Sequence, residues 1–195
     1  MAPTVEHWFD FLCPFCYIAQ DRNRILRERG VVVHEHPLQI HPEIGPGGSL
    51  VGTRVGPTYD FLGQQAEAAG LPLKWTDRIA YSLPALGAYA TLSAKDAELA
   101  DRFAASVFNA YFGEGKDIES RDLLVALTEA AGGDPEVVRA AWESGEGDQA
   151  VGRSAILAYE NGVQGTPAWV GGGQSFSGLR KREFFENWAD SLARD

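Results

Sequence analysis

The chain has 195 residues, 45% of them hydrophobic, so it can bury a full core as one domain or as a domain with a large insertion. Its 27 acidic and 17 basic side chains give a net charge of −10, which argues against nucleic acid or an anionic membrane surface as a partner. The sequence shows no apolar run of membrane-spanning length and no secretory signal pattern, so we expect a cytoplasmic protein.

The first predicted elements are a strand, a helix and a second strand. The segment TVEHWFDFL is typical of a buried strand. In CPFCYIAQDRNRILRERG, the residues Ile18, Ile25 and Leu26 fall on one helical stripe, and Gly30 ends the helix. VVVHEHPL follows after a short turn, so we expect a second strand parallel to the first, joined by a right-handed crossover.

The middle of the chain changes from an irregular segment to a helical one. QIHPEIGPGGSLVGTRVGP is rich in Gly and Pro and has no hydrophobic period, which indicates a functional loop or a connection between subdomains. From 58 to 162 the pattern is helical, several segments end in glycine, and Ser120 and Asp134 are favourable N-caps. We therefore predict an all-α insertion.

The last part of the chain predicts a return to the sheet. TPAWV and QSFSG flank GGG and predict a hairpin of short strands, and LRKREFFENWADSLA predicts a final helix. The inward stripe of that helix is formed by Phe184, Phe185, Trp188 and Leu192. The predicted class is α/β, β-α-β then β-β-α, with the all-α insertion between the second and third strands. The predicted domains are residues 1–57 with 163–195, and the inserted helical domain 58–162.

Cys13 and Cys16, the only cysteines, stand three positions apart after the first strand. A disulfide that closes so short a loop gains only about 2 kcal/mol in the chain-entropy model, so a structural staple is a weak explanation. Zinc would need two more ligands. Of the 4 histidines, His34 and His36 could share one strand face, so a zinc site stays open. Two unrelated buried thiols are a third explanation, although the spacing makes coincidence unattractive.

A redox pair explains the asymmetry of the motif better. Pro14 suits the first turn of a helix, where its missing N–H costs nothing, so Cys13 stands at the helix N-terminus. There the free N–H groups and the positive end of the helix dipole stabilise a thiolate and lower its pKa, while Cys16 is shielded one turn further in. We predict that Cys13 is the nucleophile and Cys16 the resolving thiol of thiol–disulfide exchange.

CPFC follows the first strand, and GTP at 165–167 precedes the third. These motifs resemble those of the DsbA family of thioredoxin-like proteins, specifically its FrnE-like branch of cytosolic relatives with a helical domain inserted in the thioredoxin fold. Further segments that resemble that branch are DFLCPFCYIA, HPLQIHPE, TYDF, NAYFGEGKDI and GVQGTPAWV, so the match covers most of the chain. The resemblance implies a thioredoxin-like fold and a dithiol–disulfide oxidoreductase. One departure is Phe15, because many relatives carry Trp or His there, and a His can help to stabilise the thiolate.

The same resemblance implies a substrate-binding ledge. An X–Pro bond is cis in only about 5–6% of cases, but the family context predicts a cis Thr166–Pro167 bond. Such a bond would hold the chain opposite Cys13 and expose the backbone of Thr166 to an extended substrate segment. Pro14 and Phe15 are the other predicted substrate-binding residues.

Asp10 lies three residues before Cys13, in a strand that we expect to be buried. Its carboxylate could accept the proton of the resolving thiol, or loop N–H groups at the strand end could hold it, and we favour the second role. We assign no binding role to the aromatic residues of the insertion, which are expected to be mostly core, or to the arginines of the first helix. These residues are Trp75, Tyr81, Tyr89, Phe103, Phe108, Tyr111 and Phe112, and Arg22, Arg24, Arg27 and Arg29.

A second function belongs to another reaction class. Relatives with this architecture include kappa-class glutathione transferases and 2-hydroxychromene-2-carboxylate isomerases, which bind a small thiol and transform an organic substrate. They usually carry serine at the first cysteine position, so the two sulfurs here favour redox exchange. We expect no metal or bound cofactor. Glutathione or an equivalent small thiol is a candidate cosubstrate, the partner is a thiol- or disulfide-containing protein or small molecule, and the chain is a monomer or homodimer.

Overall fold

The computed structural model describes residues 2–194; Met1 and Asp195, at the ends of the predicted discontinuous domain, lie outside the described residues. The strands are β1 (Thr4–Phe9), β2 (Val32–Pro37), β3 (Ser49–Leu50), β4 (Arg78–Ile79), β5 (Ala168–Gly171) and β6 (Gln174–Ser177). The helices are α1 (Pro14–Glu28), α2 (Pro57–Ala69), α3 (Leu83–Ser93), α4 (Ala97–Phe108), α5 (Arg121–Ala130), α6 (Pro135–Ser144), α7 (Glu146–Glu160) and α8 (Arg182–Leu192).

The central sheet has four strands in the order β2-β1-β5-β6. β1 and β2 are parallel along their whole length, from Thr4 opposite Val32 to Phe9 opposite Pro37. β5 is antiparallel to β1, and β5 and β6 form a hairpin. The predicted parallel pair, hairpin and thioredoxin-like fold with a helical insertion are therefore confirmed. This topology brings the ends of β1 and β6 and the start of β5 to one edge of the sheet.

Three details differ from the prediction. β3 pairs with β4 in a separate small sheet, and strands of two residues are too short to show an alternating pattern. Within the helical pattern predicted from 58 to 162, α4 ends at Phe108 and the chain continues as a π-helical turn, Asn109–Gly113. The last helix begins at Arg182 rather than Leu179, because the Arg180 carbonyl accepts a hydrogen bond from Arg22 of α1.

The largest apolar cluster joins the end of β1 and the start of α1 to the helical insertion. The Phe9 ring lies 4.9 Å from the Tyr89 ring, and the Phe11 ring 4.9 Å from the Phe108 ring. The cluster thus contains residues of both predicted domains. Most of the aromatic residues expected in the core are buried, namely Tyr89, Phe103, Phe108, Tyr111 and Phe112, whereas Trp75 and Tyr81 are half-buried.

A second apolar cluster lies between the sheet, α1 and α8. Phe185, Trp188 and Leu192 of the predicted α8 stripe are buried in it, and Phe184 packs at its edge. No helix within residues 2–194 combines the length and apolar character that a membrane crossing requires.

Candidate active site

Cys13 occupies the position immediately before the first turn of α1, and Pro14 is the first residue of that turn. The Cys13 backbone is extended, with φ −84° and ψ 112°, and its carbonyl accepts hydrogen bonds from the N–H groups of Cys16 (3.0 Å) and Tyr17 (3.1 Å). No side chain caps this helix end, so the positive end of the helix dipole acts on the Cys13 sulfur.

Cys13 and Cys16 are both free thiols, and their pKa values are shifted in opposite directions. Cys13 is 4% exposed and Cys16 only 1%. Burial alone raises the pKa of Cys13, but hydrogen bonding, chiefly from the Cys16 side chain, outweighs it and holds the Cys13 pKa below its usual value. Burial and the neighbouring Cys13 sulfur raise the pKa of Cys16 well above its usual value. These opposite shifts favour ionisation of Cys13 before Cys16.

The segment before β5 lies against Cys13. The Thr166–Pro167 peptide bond is cis, and the Cys13 thiol donates a hydrogen bond of 3.5 Å to the Thr166 carbonyl. The hydroxyl of Thr166 is buried and has no hydrogen-bond partner within residues 2–194. Pro167 is buried, and its carbonyl accepts a hydrogen bond from the N–H of Gly178 (2.8 Å). Cys13 and Thr166, which are 153 positions apart in the sequence, are thus in contact through the Cys13 sulfur.

Pro14 and Phe15 are both half-buried at the start of α1. Phe15 packs at the edge of the largest cluster and also against Ile18 and Leu62, which join α1 to α2. Its ring therefore packs against both the cluster that contains the two cysteines and the cluster that joins α1 to α2.

Asp10 is completely buried between two loops. Its carboxylate accepts hydrogen bonds from the N–H groups of Leu12 (3.3 Å) and Ile40 (2.9 Å), and its carbonyl accepts one from the N–H of Cys13 (3.1 Å). Burial raises the pKa of Asp10 to about 6, against the opposing effect of the Ile40 hydrogen bond. Asp10 thus ties the loop before Cys13 to the segment after β2.

The histidines do not gather around the cysteines. His34 and His36 both pair with the Glu6 carboxylate on β1, and His41 pairs with Glu43 (2.7 Å). No three His, Cys, Asp or Glu side chains in residues 2–194 are grouped so that they could hold a metal ion. The zinc site that the sequence left open is therefore not formed by these side chains.

His7 belongs to a buried polar network that was not predicted. Its Nδ1 lies 3.0 Å from the Asn23 amide, which also donates to Glu35 (2.7 Å) and accepts from the Trp169 indole (2.8 Å). Burial lowers the pKa of His7 to about 4, so the ring is neutral. The only local signal was a polar residue directly before the apolar pair Trp8 and Phe9 of β1.

The chain belongs to the family of DsbA-like thioredoxin domains, whose model matches residues 4–188. It is 26% identical to 2-hydroxychromene-2-carboxylate isomerase of Sphingobium xenophagum over 196 residues, which cover 96% of this chain and 98% of that protein.

Solved structures have the same fold. A probable DsbA oxidoreductase from Streptomyces coelicolor superimposes with a TM-score of 0.84 at 25% identity, covering 99% of this chain and 91% of the other. The cytosolic disulfide reductase DsbM of Pseudomonas aeruginosa, solved with GSH, superimposes with a TM-score of 0.72 at 21% identity, covering 98% and 100%. Similarity to a probable oxidoreductase and to an isomerase indicates that this chain is an enzyme.

Proposed function

We propose that this chain is a dithiol–disulfide oxidoreductase in which Cys13 attacks the substrate and Cys16 resolves the intermediate. The observation that carries the proposal is the asymmetry of the pair. The pKa of Cys13 is lowered at the helix start, and that of Cys16 is raised one turn further in. Thiol–disulfide exchange needs one sulfur that is ionised before the other.

The reaction proceeds in two displacements. The Cys13 thiolate attacks one sulfur of a substrate disulfide, forms a mixed disulfide and releases the other substrate sulfur as a thiolate. Cys16 then loses its proton and attacks the Cys13 sulfur, which releases the second substrate thiolate and leaves a Cys13–Cys16 disulfide. The substrate gains two electrons and the protein loses two, so a dithiol or two equivalents of a small thiol must reduce the pair again.

Thr166, Pro167, Pro14 and Phe15 are the proposed substrate contacts. In the structure the Thr166 carbonyl accepts the Cys13 thiol proton. Ionisation of Cys13 removes that donor, so the carbonyl becomes free to accept an N–H from an extended substrate segment.

The proposed main role of Asp10 is to hold the Leu12 and Ile40 backbones, because both of its oxygens are occupied by their N–H groups. A second role as proton acceptor for Cys16 would use its raised pKa, which is close to neutrality. The two roles are distinguished by the rate at which a substrate disulfide reoxidises the reduced protein, measured against pH for Asp10→Asn and for the parent. An unchanged profile leaves only the structural role, and the loss of a step near pH 6 adds the proton-transfer role.

A small thiol such as glutathione is the proposed cosubstrate, and the cytoplasm the proposed compartment. DsbM, a cytosolic reductase of this fold, was solved with GSH. The second candidate function is a small-thiol-dependent isomerase or transferase, which the similarity to 2-hydroxychromene-2-carboxylate isomerase over 96% of the chain favours. The retention of both sulfurs supports the redox function.

Intact-mass analysis after incubation with a disulfide peptide tests the proposal. Cys16→Ala keeps the attacking sulfur but cannot resolve, so it should accumulate a peptide adduct that added dithiol removes. Cys13→Ala is the matched control and should form almost none. An isomerase that uses a bound small thiol predicts no trapped adduct. If Cys16→Ala forms no adduct, or Cys13→Ala forms one equally well, the proposed mechanism is wrong.

A further inference from the structure

The segment that follows β6 begins at the edge of the sheet that carries Cys13. β6 runs in the same direction as β1, because each is antiparallel to β5. Gly178, the residue after β6, donates to the carbonyl of Pro167 (2.8 Å). Leu179 packs in the apolar cluster that includes Phe15. The residues that follow Leu179 therefore begin two positions after the hydrogen bond between Gly178 and Pro167, one of the proposed substrate contacts.

Those next residues form a basic cluster in a protein whose net charge is −10. Arg180, Lys181 and Arg182 are all exposed. Arg182 is engaged, since it pairs with Asp21 (3.5 Å) and donates to the Ala68 carbonyl (3.3 Å). Arg180 and Lys181 form no ion pair with any residue of the range 2–194, so their positive charge is not neutralised by a neighbouring carboxylate.

The cluster is anchored to α1. The buried Arg22 pairs with Asp21 (2.6 Å) and donates from its Nε to the carbonyl of Arg180 (3.1 Å). The Arg180 guanidinium lies 5.9 Å from the centre of the Phe176 ring. Because its backbone and its side chain both have partners, Arg180 loses little freedom when it binds an anion.

We propose that Arg180 and Lys181 bind a carboxylate of the disulfide that Cys13 attacks, an inference that rests on the proposed function. Arg180 is two positions after Gly178, a distance of at most about 7 Å in extended chain. The selected substrates are disulfides with a carboxylate a few bonds from the sulfur, in a short acidic peptide or in a small thiol. Neutral and cationic disulfides are disfavoured. Guanidinium and ammonium groups both bind carboxylates, the guanidinium in a bidentate manner.

The test compares the trapping rates of matched disulfides on Cys13 in the Cys16→Ala protein. One pair is 3,3′-dithiodipropionate and its diamide, and the other is two peptide disulfides that differ by Asp or Asn two residues from the cysteine. Arg180→Gln/Lys181→Gln should lower the ratio of the acidic to the neutral rate about 5-fold, because an exposed ion pair contributes up to about 1 kcal/mol. Added salt should lower the ratio in the parent protein.

The control Lys95→Gln/Arg153→Gln removes two positive charges from exposed sites in the helical insertion and should keep the parent ratio. If Arg180→Gln/Lys181→Gln lowers the ratio only for 3,3′-dithiodipropionate and its diamide, the substrate that carries the carboxylate is a small thiol. If the ratio falls for the peptide disulfides as well, acidic peptides are also selected. An equal ratio in both double variants overturns the inference and leaves the proposed function intact.

A separate binding measurement keeps the two proposals distinguishable. If Cys13 traps none of the disulfides, the proposed function fails, but calorimetry with 3,3′-dithiodipropionate on Cys13→Ala still decides the inference. Weaker binding after Arg180→Gln/Lys181→Gln, with no change in Lys95→Gln/Arg153→Gln, supports it. Undetectable or unchanged binding overturns it.

Discussion

At the residue scale, the acidity of Cys13 depends on its partner in the motif. Because the hydrogen bond from the Cys16 side chain lowers the pKa of Cys13, Cys16→Ala should raise the pH at which Cys13 becomes alkylated. Cys16→Ser retains a donor and should shift the profile less. The measurement is the iodoacetamide rate against pH, with a parent midpoint below the roughly 8.5 of a free thiol. Identical profiles for Cys16→Ala and the parent would contradict this coupling.

Asp10 should make stability depend on pH. Burial raises its pKa from 3.8 to about 6, so the folded protein holds this proton more tightly than the unfolded chain. Its contribution to stability is complete below the lower value and is lost as pH rises through the upper one. As pH rises from 4 to 7, the unfolding free energy of Asp10→Asn should therefore increase by on the order of 2 kcal/mol relative to that of the parent.

Urea denaturation of both proteins across that range measures the effect. The difference between the two curves is the useful quantity, because His7 titrates in the opposite sense. The lowered pKa of His7 makes stability rise with pH between about 4 and 6.5 in both proteins. A difference that is constant with pH would contradict the raised pKa of Asp10.

At the element scale, α3 and α7 approach each other closely at two glycines. A Cβ on Gly87 would lie 3.2 Å from the Gly147 backbone, whereas a Cβ on Gly152, also in α7, would have no neighbour within 4 Å. Gly87→Ala should destabilise the protein by about 1 kcal/mol, because overpacking exceeds the gain in helix propensity. Gly152→Ala should stabilise it by about 0.5–1 kcal/mol. Thermal unfolding measures both stability changes. If Gly87→Ala stabilised the protein as Gly152→Ala is expected to, the contact between Gly87 and Gly147 would not be tight.

Most elements were predictable because their signals are local. Hydrophobic period, Pro14, and the N-caps Ser120 and Asp134 indicate helices, and both caps accept hydrogen bonds from their first turns. The start of α8 was not predictable, because Leu179 and Arg180 are held out of the helix by packing and by Arg22, which is 158 positions away. The two-residue strands β3 and β4 are likewise held by their pairing alone.

At the scale of the whole molecule, the sheet and the helical insertion share one apolar cluster. Phe9 and Phe11 of the first domain pack against Tyr89 and Phe108 of the insertion. We expect a single unfolding transition, coincident by circular dichroism and tryptophan fluorescence, and a poorly folded isolated fragment 58–162. Two separate transitions would show that the predicted domains are independent.

The candidate site was predictable where the sequence carries a motif. The spacing of Cys13 and Cys16 and the Gly-Thr-Pro at 165–167 indicated the parts that meet at the Cys13 sulfur. The contacts of Asp10 with Ile40, of Asn23 with His7, and of Gly178 with Pro167 depend on long-range packing, and no local pattern specifies them.

The central claim is that Cys13 and Cys16 alternate between a dithiol and a disulfide. The most direct test equilibrates the protein with glutathione buffers of graded potential and measures its intact mass after acid quenching. Exchange predicts that the reduced protein converts to a species lighter by two hydrogens, along a two-electron curve whose midpoint falls between about −270 and −120 mV. A protein that forms only a single glutathione adduct, or that loses no hydrogens at any potential, would contradict the claim.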